Sequence, residues 1–478
     1  MNILLINPPF FDQDAVGKER SIRYVLNIIP PLGLAYLAAV LVRAGFKVGI
    51  TDYSVEKYSD QDIIKIIKKD KPQIVGISAA TPTFISASKI AQIIRDNFHQ
   101  IVLVIGGAHI SAMAYRGMAE SCFDIGLIGE GEETFLELAK SVQEKGLAGL
   151  EVINGIIFRR GKEFVLNPGR EFIKELDALP YPARHLLAPL NRYKPTPASY
   201  KKLPLGIIMT SRGCPNQCTF CDRSVFGNLY RQRSAENVLG EIEEVIYKYG
   251  AREIRFFDDC FTLDKERTYA ICQGIRKFKI PWTCLTTVTS INKGFLKEMK
   301  SSGCWQVLYG LESADPQILE SLKKGNTLEQ NIKAVKLAKE AGLSVRADFI
   351  VGTPGETKES LEKTLKFAID MDLDYAHFNK FVPYPGTSLY KRLTESGYNF
   401  NFSEGASITD HLRPLYFPPG VIREDYLKFI NYAHKRFYLR PGYLFRRLLS
   451  LRTLDEFRGQ VRGLFAISAL RVYKARPK

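Results

Sequence analysis

Short runs of aliphatic and β-branched residues alternate with amphipathic stretches through the first 145 residues. Ile3 to Ile6, Lys47 to Thr51, Ile74 to Ile77, Val102 to Ile105 and Ile125 to Ile128 read as strands. Between them Leu34 to Ala44, Asp60 to Lys69, Ile85 to Asn97 and Glu133 to Lys145 repeat apolar residues at helical spacing, with lengths that suit right-handed crossovers. The pattern predicts an α/β chain that opens with a doubly wound, Rossmann-like sheet over residues 1–150.

Ile153 to Leu166 then reads as a hairpin around Arg160-Gly161-Lys162, and Pro180, Pro182, Pro189, Pro195 and Pro197 mark a linker, so that 151–204 joins two units. A second series follows over 205–400. Its strands are placed at Gly206 to Thr210, Glu253 to Phe257, Trp282 to Thr287, Gln306 to Gly310, Val345 to Val351 and Tyr375 to Val382. Helical patterns at Ala235 to Tyr249, Lys265 to Phe278, Lys293 to Ser301, Leu328 to Ala341 and Glu359 to Asp370 separate them. Six such units predict a partial β/α barrel, with its chemistry at the carboxyl ends of the strands. Residues 401–478 are basic, aromatic-rich and helical in pattern.

Length alone suggests two or three domains of ~100–200 residues, and the 45% apolar fraction supplies ample core for a globular chain of 478 residues. The N-terminus has neither the basic start nor the cleavage site of a signal peptide, which places the protein in the cytoplasm as an expectation. The formal charge is +16; from Arg423 to Lys478 there are 14 Lys and Arg against 4 Asp and Glu, a local +10. Such a tail holds an anionic substrate, meets a membrane surface or is a solvated face.

Eight cysteines in a chain of this size are no disulfide scaffold, and three of them fall within one loop. Ser211-Arg212-Gly213-Cys214-Pro215-Asn216-Gln217-Cys218-Thr219-Phe220-Cys221 follows the first strand of the second series. Three thiolates at C-x3-C-x2-C spacing hold three irons of a [4Fe-4S] cluster and leave the fourth open. The alternative is zinc, which usually takes four ligands in paired clusters; no second Cys or His pair lies near this loop.

On this loop and the strand ends after it, the second half of the chain resembles the radical S-adenosylmethionine superfamily. The resemblance implies that Cys214, Cys218 and Cys221 hold the cluster and that its open iron chelates S-adenosylmethionine. A 5'-deoxyadenosyl radical is then formed by reductive cleavage, chemistry that belongs to the cofactors and that the protein orients. Phe220 is implied to lie near adenine. In Phe256-Phe257-Asp258-Asp259, the acidic pair Asp258 and Asp259 is implied to bind the methionine ammonium, the other use of such residues being a helix N-cap. Gly310-Leu311-Glu312-Ser313 matches the ribose-binding position, through Glu312 and Ser313. The run Arg346 to Thr357 resembles the glycine-rich turn near adenine, with Gly352 in the turn and Arg346 available for the carboxylate. Phe381 to Thr387 is a further adenine-side element. Cys260 is expected near the active site, and Cys122, Cys272, Cys284 and Cys304 as buried hydrophobes. His377 and Tyr384 face either substrate or core.

In the first sheet the strand ends carry Asn7-Pro8-Pro9, Asp52, Ser78 to Pro82 with Thr81, Gly106-Gly107-Ala108-His109 and Gly129-Glu130-Gly131-Glu132. No G-x-G-x-x-G or P-loop follows the first strand. Together with Pro30 to Leu34, which includes Gly33, the set resembles the cobalamin-binding domain that precedes the radical module in one large subfamily. Asn7, Pro8, Pro9, Gly33, Ser78, Thr81, Gly106, Gly107, His109, Gly129 and Glu130 are then implied to bind cobalamin. Methionine-synthase-like domains carry D-x-H-x-x-G after the first strand; here Asn7 to Gly33 contains no histidine. The departure implies base-off cobalamin without a protein imidazole, with His109 in the tail pocket.

The resemblance implies a cobalamin-dependent methyltransferase acting on an unactivated carbon. The alternative within it is a cyclase or rrearrangement enzyme such as the anaerobic magnesium-protoporphyrin monomethyl ester cyclase. A small-molecule or peptide substrate, anionic or lipid-like, and an electron donor of the flavodoxin or ferredoxin kind are the implied partners. Phe437 to Tyr443 resembles a stretch of the same subfamily whose C-terminal region closes over the barrel, as a substrate lid. A reading of another class is a nucleic-acid or membrane-surface binding protein with a structural cluster; no RNA-binding aromatic motif supports specific nucleic-acid recognition.

Overall fold

A computed structural model describes residues 1–10, 27–402, 414–468 and 470. The loop expected between Asn7 and Gly33 therefore lies largely outside the described residues, as does the end of the basic tail.

Strands β1 (Asn2–Asn7), β2 (Lys47–Asp52), β3 (Ile74–Ser78), β4 (Val102–Gly106) and β5 (Ile125–Leu127) form a parallel sheet in the order β2-β1-β3-β4-β5. Their apolar side chains feed two cores, one on each face of the sheet, as a doubly wound fold requires. Local chemistry sets the crossover helices; Ser59, for example, caps Asp60–Asp70 by accepting from the Asp62 amide at 3.2 Å. The predicted hairpin, β6 (Ile156–Arg160) and β7 (Glu163–Leu166), extends this sheet by antiparallel pairing with β5.

The proline-rich stretch is pinned down rather than loose. Arg184 is buried against Glu241 and the Ile207 carbonyl, and the Tyr193 hydroxyl donates to Asp52 at 2.9 Å. The proline rings fix φ at about −65°, Pro197 opening a turn of 3-10 helix, while Arg184 and Tyr193 carry the packing.

The second sheet is all parallel, β8 (Leu205–Ile208), β11 (Glu253–Phe256), β12 (Trp282–Leu285), β13 (Cys304–Glu312), β14 (Ser344–Val351) and β15 (Tyr375–Lys380), in that spatial order. A short antiparallel pair, β9 (Ser211–Arg212) with β10 (Arg231–Gln232), brackets the cysteine loop. Outward residues such as Phe256, Trp282, Phe349 and Phe378 join the helices in one large core. Strand β13 runs two residues past its expected end because the ladder bulges between Gly310 and Glu312.

Among the described residues the C-terminal helices run along the side of the barrel, from the carboxyl end of β14, where the Tyr426 hydroxyl donates to the Val351 carbonyl at 3.0 Å. Helix Arg423–Tyr438 packs on β15, where the Tyr438 hydroxyl exchanges hydrogen bonds with the Ala376 amide and carbonyl. Helix Leu454–Ser468 starts beside β8, its Asp455 accepting from the Leu203 amide at 3.1 Å. Together they fill the gap between the first and last strands of an incomplete barrel. Among the described residues no helix is long and apolar enough to cross a membrane.

Candidate active site

The cysteine loop leaves β8 through Gly213, whose φ of +80° puts a notional Cβ 2.2 Å from the Leu229 carbonyl oxygen, so only glycine fits. The Thr219 amide donates to Leu322 and its carbonyl accepts from the Leu389 amide, each at 2.9 Å, which anchors the loop centre to two neighbouring elements. Cys218 is buried, Cys214 half-buried and Cys221 exposed at its surface. Burial raises the Cys218 thiol. Neutral thiols of this kind surrender their protons to a bound metal. Among the described residues no three Cys, His, Asp or Glu side chains gather closely enough to hold a single ion. Three thiols at this spacing suit a cluster, which offers each its own iron.

Asp258 is buried, and its carboxylate accepts from the Thr210 and Ser211 amides, both at 2.6 Å, and from both hydroxyls. It holds the entrance of the loop and has little left for a ligand, while the Asp259 charge reaches Cys221. Neither is an N-cap; Asp264 caps the following helix.

Glu312 sits at the bulge with φ +61°, a left-handed conformation rare for a non-glycine residue. Its Oε1 accepts from Lys324 Nζ at 2.8 Å. A Cβ on Gly310 would fall 2.4 Å from that oxygen and 2.8 Å from Nζ, so the glycine makes room for the pair. Lys324 also stands 5.6 Å over the Phe220 ring, and its charge reaches Cys218 and Cys221. The sequence reading missed Lys324; the only signal was Lys323-Lys324-Gly325 closing a proline-started turn of helix. The Ser313 hydroxyl is occupied by the Asp315 amide and Thr364.

Gly352, φ +93°, abuts Tyr426: a Cβ there would lie 2.4 Å from the ring. The amides of Gly352 and Thr353 both donate to buried Glu356. Arg346 points into the barrel, away from the cysteine loop, donating to Ser199 at 3.0 Å and to His377 Nδ1 at 2.9 Å. Cys260 is buried against Thr287 within electrostatic reach of Cys214; Cys272, Cys284 and Cys304 are buried, and Cys122 half-buried.

A cavity of about 120 Å³ lies at the carboxyl ends of β1, β3, β4 and β5. Gly33, Ser78, Gly106, Gly107, Gly129 and Glu130 line it from the first sheet, while Met209, Arg212, Val225 and Phe226 close it from the second unit. A Cβ on Gly33 would meet nothing within 4 Å, and on Gly106 or Gly129 nothing nearer than 3.7 and 3.8 Å. These glycines leave a cradle that side chains would fill, which fits the tail of a large cofactor. Asn7 is bonded to Asp52, and Pro8 and Pro9 are buried outside the cavity. His109 is also outside it, stacked on Phe84 at 4.0 Å with Nδ1 3.1 Å from Thr81 Oγ1. Burial lowers its pKa to about 4 and keeps it neutral.

Arg212, two residues before Cys214, ties the two units. It donates to Glu130 at 2.8 Å and to Glu132 at 2.6 Å, and Arg231 donates to the other Glu130 oxygen at 2.7 Å. All four side chains are buried. Glu130, expected to touch cofactor, spends both oxygens on these arginines and the Ile173 amide.

Residues 208–368 match the model of the radical SAM superfamily, and residues 22–139 match that of the B12 binding domain. A methyltransferase of Pyrococcus horikoshii, itself described as uncharacterised, is 38% identical, with 93% of this chain and 94% of the relative covered. The anaerobic magnesium-protoporphyrin IX monomethyl ester cyclase of Rubrivivax gelatinosus is 29% identical over 93% of this chain and 78% of its own. In fold, the chain is similar to the radical S-adenosylmethionine methyltransferase TsrM from Kitasatospora setae, at a TM-score of 0.74 and 18% identity over 98% and 99% of the two chains. With the cysteine loop on a partial barrel, the glycine cradle beside it and a relative matched almost end to end, the chain belongs to the B12-binding radical S-adenosylmethionine family of enzymes.

Proposed function

We propose that this chain is a cobalamin-dependent radical S-adenosylmethionine methyltransferase that methylates an unactivated carbon of a small-molecule substrate. One observation carries the reading: the glycine cradle and the cysteine loop share a wall, the segment from Met209 to Phe226, so two cofactors held there would face each other across it. When bound, the reduced cluster supplies the electron that cleaves S-adenosylmethionine, and cobalamin supplies the methyl carrier.

The chain's own residues position these groups. Cys214, Cys218 and Cys221 each hold one iron. Lys324, fixed by Glu312, offers a cation beside the loop for the methionine carboxylate, a role Arg346 is too deep in the barrel to fill. Asp259 is the free carboxylate for the ammonium, Phe220 packs on adenine, and Gly33, Gly106 and Gly129 admit the cobalamin tail, Gly107 letting the chain pass close to the Ala79 backbone. In this reading residues 1–150 hold cobalamin, 151–204 connect, 205–400 carry the radical site and 401–478 complete the barrel wall. The electron donor is of the flavodoxin or ferredoxin kind.

The test is anaerobic reconstitution with iron, sulfide and cobalamin, then assay of 5'-deoxyadenosine and S-adenosylhomocysteine after adding reductant and S-adenosylmethionine. Both products, absent from the triple Cys214, Cys218 and Cys221 to Ala variant, support methyl transfer. Deoxyadenosine alone with substrate consumed favours the cyclase reading, which the similarity to the ester cyclases motivates. A full cluster with no cleavage sinks both.

A further inference from the structure

A second cavity, of about 540 Å³, runs along the side of the barrel that the C-terminal helices close. That volume is in the range of small-molecule sites. Its outer wall is apolar, from Leu444 and Leu448 on helix Pro441–Ser450 and Val461, Leu464 and Ile467 on helix Leu454–Ser468. Its inner end is charged. Arg346 and Asp348 alternate on β14, and His377 and Asn379 on β15, so all four share the face turned into the barrel.

The inner end is incompletely paired. Arg346 is 8% exposed, yet its Nε donates no hydrogen bond, Asp348 Oδ1 standing 3.6 Å away. Asp348 Oδ1 accepts none, and the buried Nη1 of Arg255, behind them, donates none. Burial and the neighbouring Arg346 push Arg255 down to about 9, and burial holds His377 neutral. Arg346 and Arg255 thus flank Asp348, with Glu253 also in electrostatic reach of Arg255, and each guanidinium keeps an unpaired N–H; that of Arg346, which lines the cavity, is one an anion would satisfy. The end also lies next to the cofactor side of the barrel, for the Asp348 charge is felt by Glu312, the partner of Lys324.

The outer end opens on an unusual surface. Leu454, Phe457, Val461 and Leu464 form a stripe at helical spacing, and Phe445 and Leu448 are 64% and 62% exposed beside it. Arg446, Arg452 and Arg458 flank these residues and are exposed. Apolar side chains ringed by arginines on helices too short to span a bilayer suit its interface, where cations meet anionic headgroups.

We propose that the cavity takes an amphiphilic substrate, with an anionic end at Arg346 and an apolar body between the two C-terminal helices, drawn from an anionic bilayer on which those helices lie. The fate of the bound molecule rests on the radical reading above; its binding does not.

The test uses the full chain loaded with cluster and cobalamin, without reductant, so that binding is read apart from turnover. Dodecyl phosphate, titrated below its micelle concentration, is expected to bind once per chain, with inorganic phosphate and dodecanol at least about tenfold weaker. Val461→Trp, which fills the apolar wall, and Arg346→Gln are each expected to weaken binding by about tenfold or more. In a flotation assay the protein rises with phosphatidylglycerol vesicles and not with phosphatidylcholine vesicles, and the variant Phe445→Glu, at an exposed position outside the cavity wall, stays behind. Absence of saturable binding, or equal binding by Val461→Trp and Arg346→Gln, overturns the site. Flotation with neither vesicle, or with both alike, overturns the anionic bilayer as the source. Amphiphile binding by a chain that cannot cleave S-adenosylmethionine supports this proposal and counts against the radical reading alone.

Discussion

Arg212 Nη1 lies 2.8 Å from Glu130 Oε1, joining the residue that introduces the cysteine loop to the glycine turn that lines the cobalamin cradle. The pair is buried, bidentate through Glu132 and shared with Arg231, so any movement of one cofactor site relative to the other has to break it.

Removing one partner of such a network leaves buried charge unpaired, at a cost of about 3–5 kcal/mol. Arg212→Met is therefore expected to lower the urea midpoint and to lose cobalamin and cluster together. Glu132→Gln, which removes one arm, is expected to do much less. Equal cobalt and iron contents in Arg212→Met and the parent would show that the tie does not set the shared wall.

Gly106→Leu separates the two sites instead. The position is open to the cavity and its φ is not left-handed, so leucine fills the cradle without backbone strain. Cobalt content is expected to fall by about tenfold or more, a loss of ~1.4 kcal/mol or greater in binding. Iron content and unfolding midpoint should stay near the parent's. Metal analysis of the purified variant decides it.

Lys324→Ala removes the cation beside the loop and strands the Glu312 carboxylate, which is 6% exposed. The expected result is retention of iron with loss of deoxyadenosine formation by about 10²-fold, the scale of one charge-assisted contact of ~2.7 kcal/mol. Lys324→Arg should recover part of it. A Lys324→Ala enzyme that cleaves at the parental rate removes this residue from the site.

Glu356 gives a pH signature. Burial raises its carboxyl to about 8 from the ordinary 4.5, despite the Gly352 and Thr353 amides that favour its charged form. The folded state therefore binds more protons than the unfolded one between those values, and stability falls as pH rises through that window, by at most ~1.4 kcal/mol per unit from this group. Glu356→Gln keeps an acceptor for the two amides and should flatten that part of the slope between pH 5 and 8. Urea midpoints measured across the window in both proteins give the difference; parallel curves would place the titrating group elsewhere.

The strands, crossovers and cysteine loop were legible because each is written in local terms: period, caps and spacing that neighbouring residues impose. Gly213 and Gly310 sit where the motif led one to expect small residues, and the structure supplies the reasons, a carbonyl at one and the Glu312–Lys324 pair at the other. Expectations for Asp258, Ser313 and Glu130 named carboxylates and a hydroxyl at plausible strand positions, but their hydrogen bonds are already spent within the protein, and Arg346 is turned to Ser199 and His377 instead.

By itself, then, the sequence determined the two β/α series, their order and the three thiols, since these depend on contacts between residues close along the chain. Tertiary structure alone decided which charges meet. Glu130 finds Arg212 across 82 positions, and Arg346 finds Ser199 across 147. It also decided that the C-terminal helices close the barrel's side, leaving their apolar stripe outward. Hydropathy marks a residue as fit for burial but does not say against what, and long-range packing makes that choice.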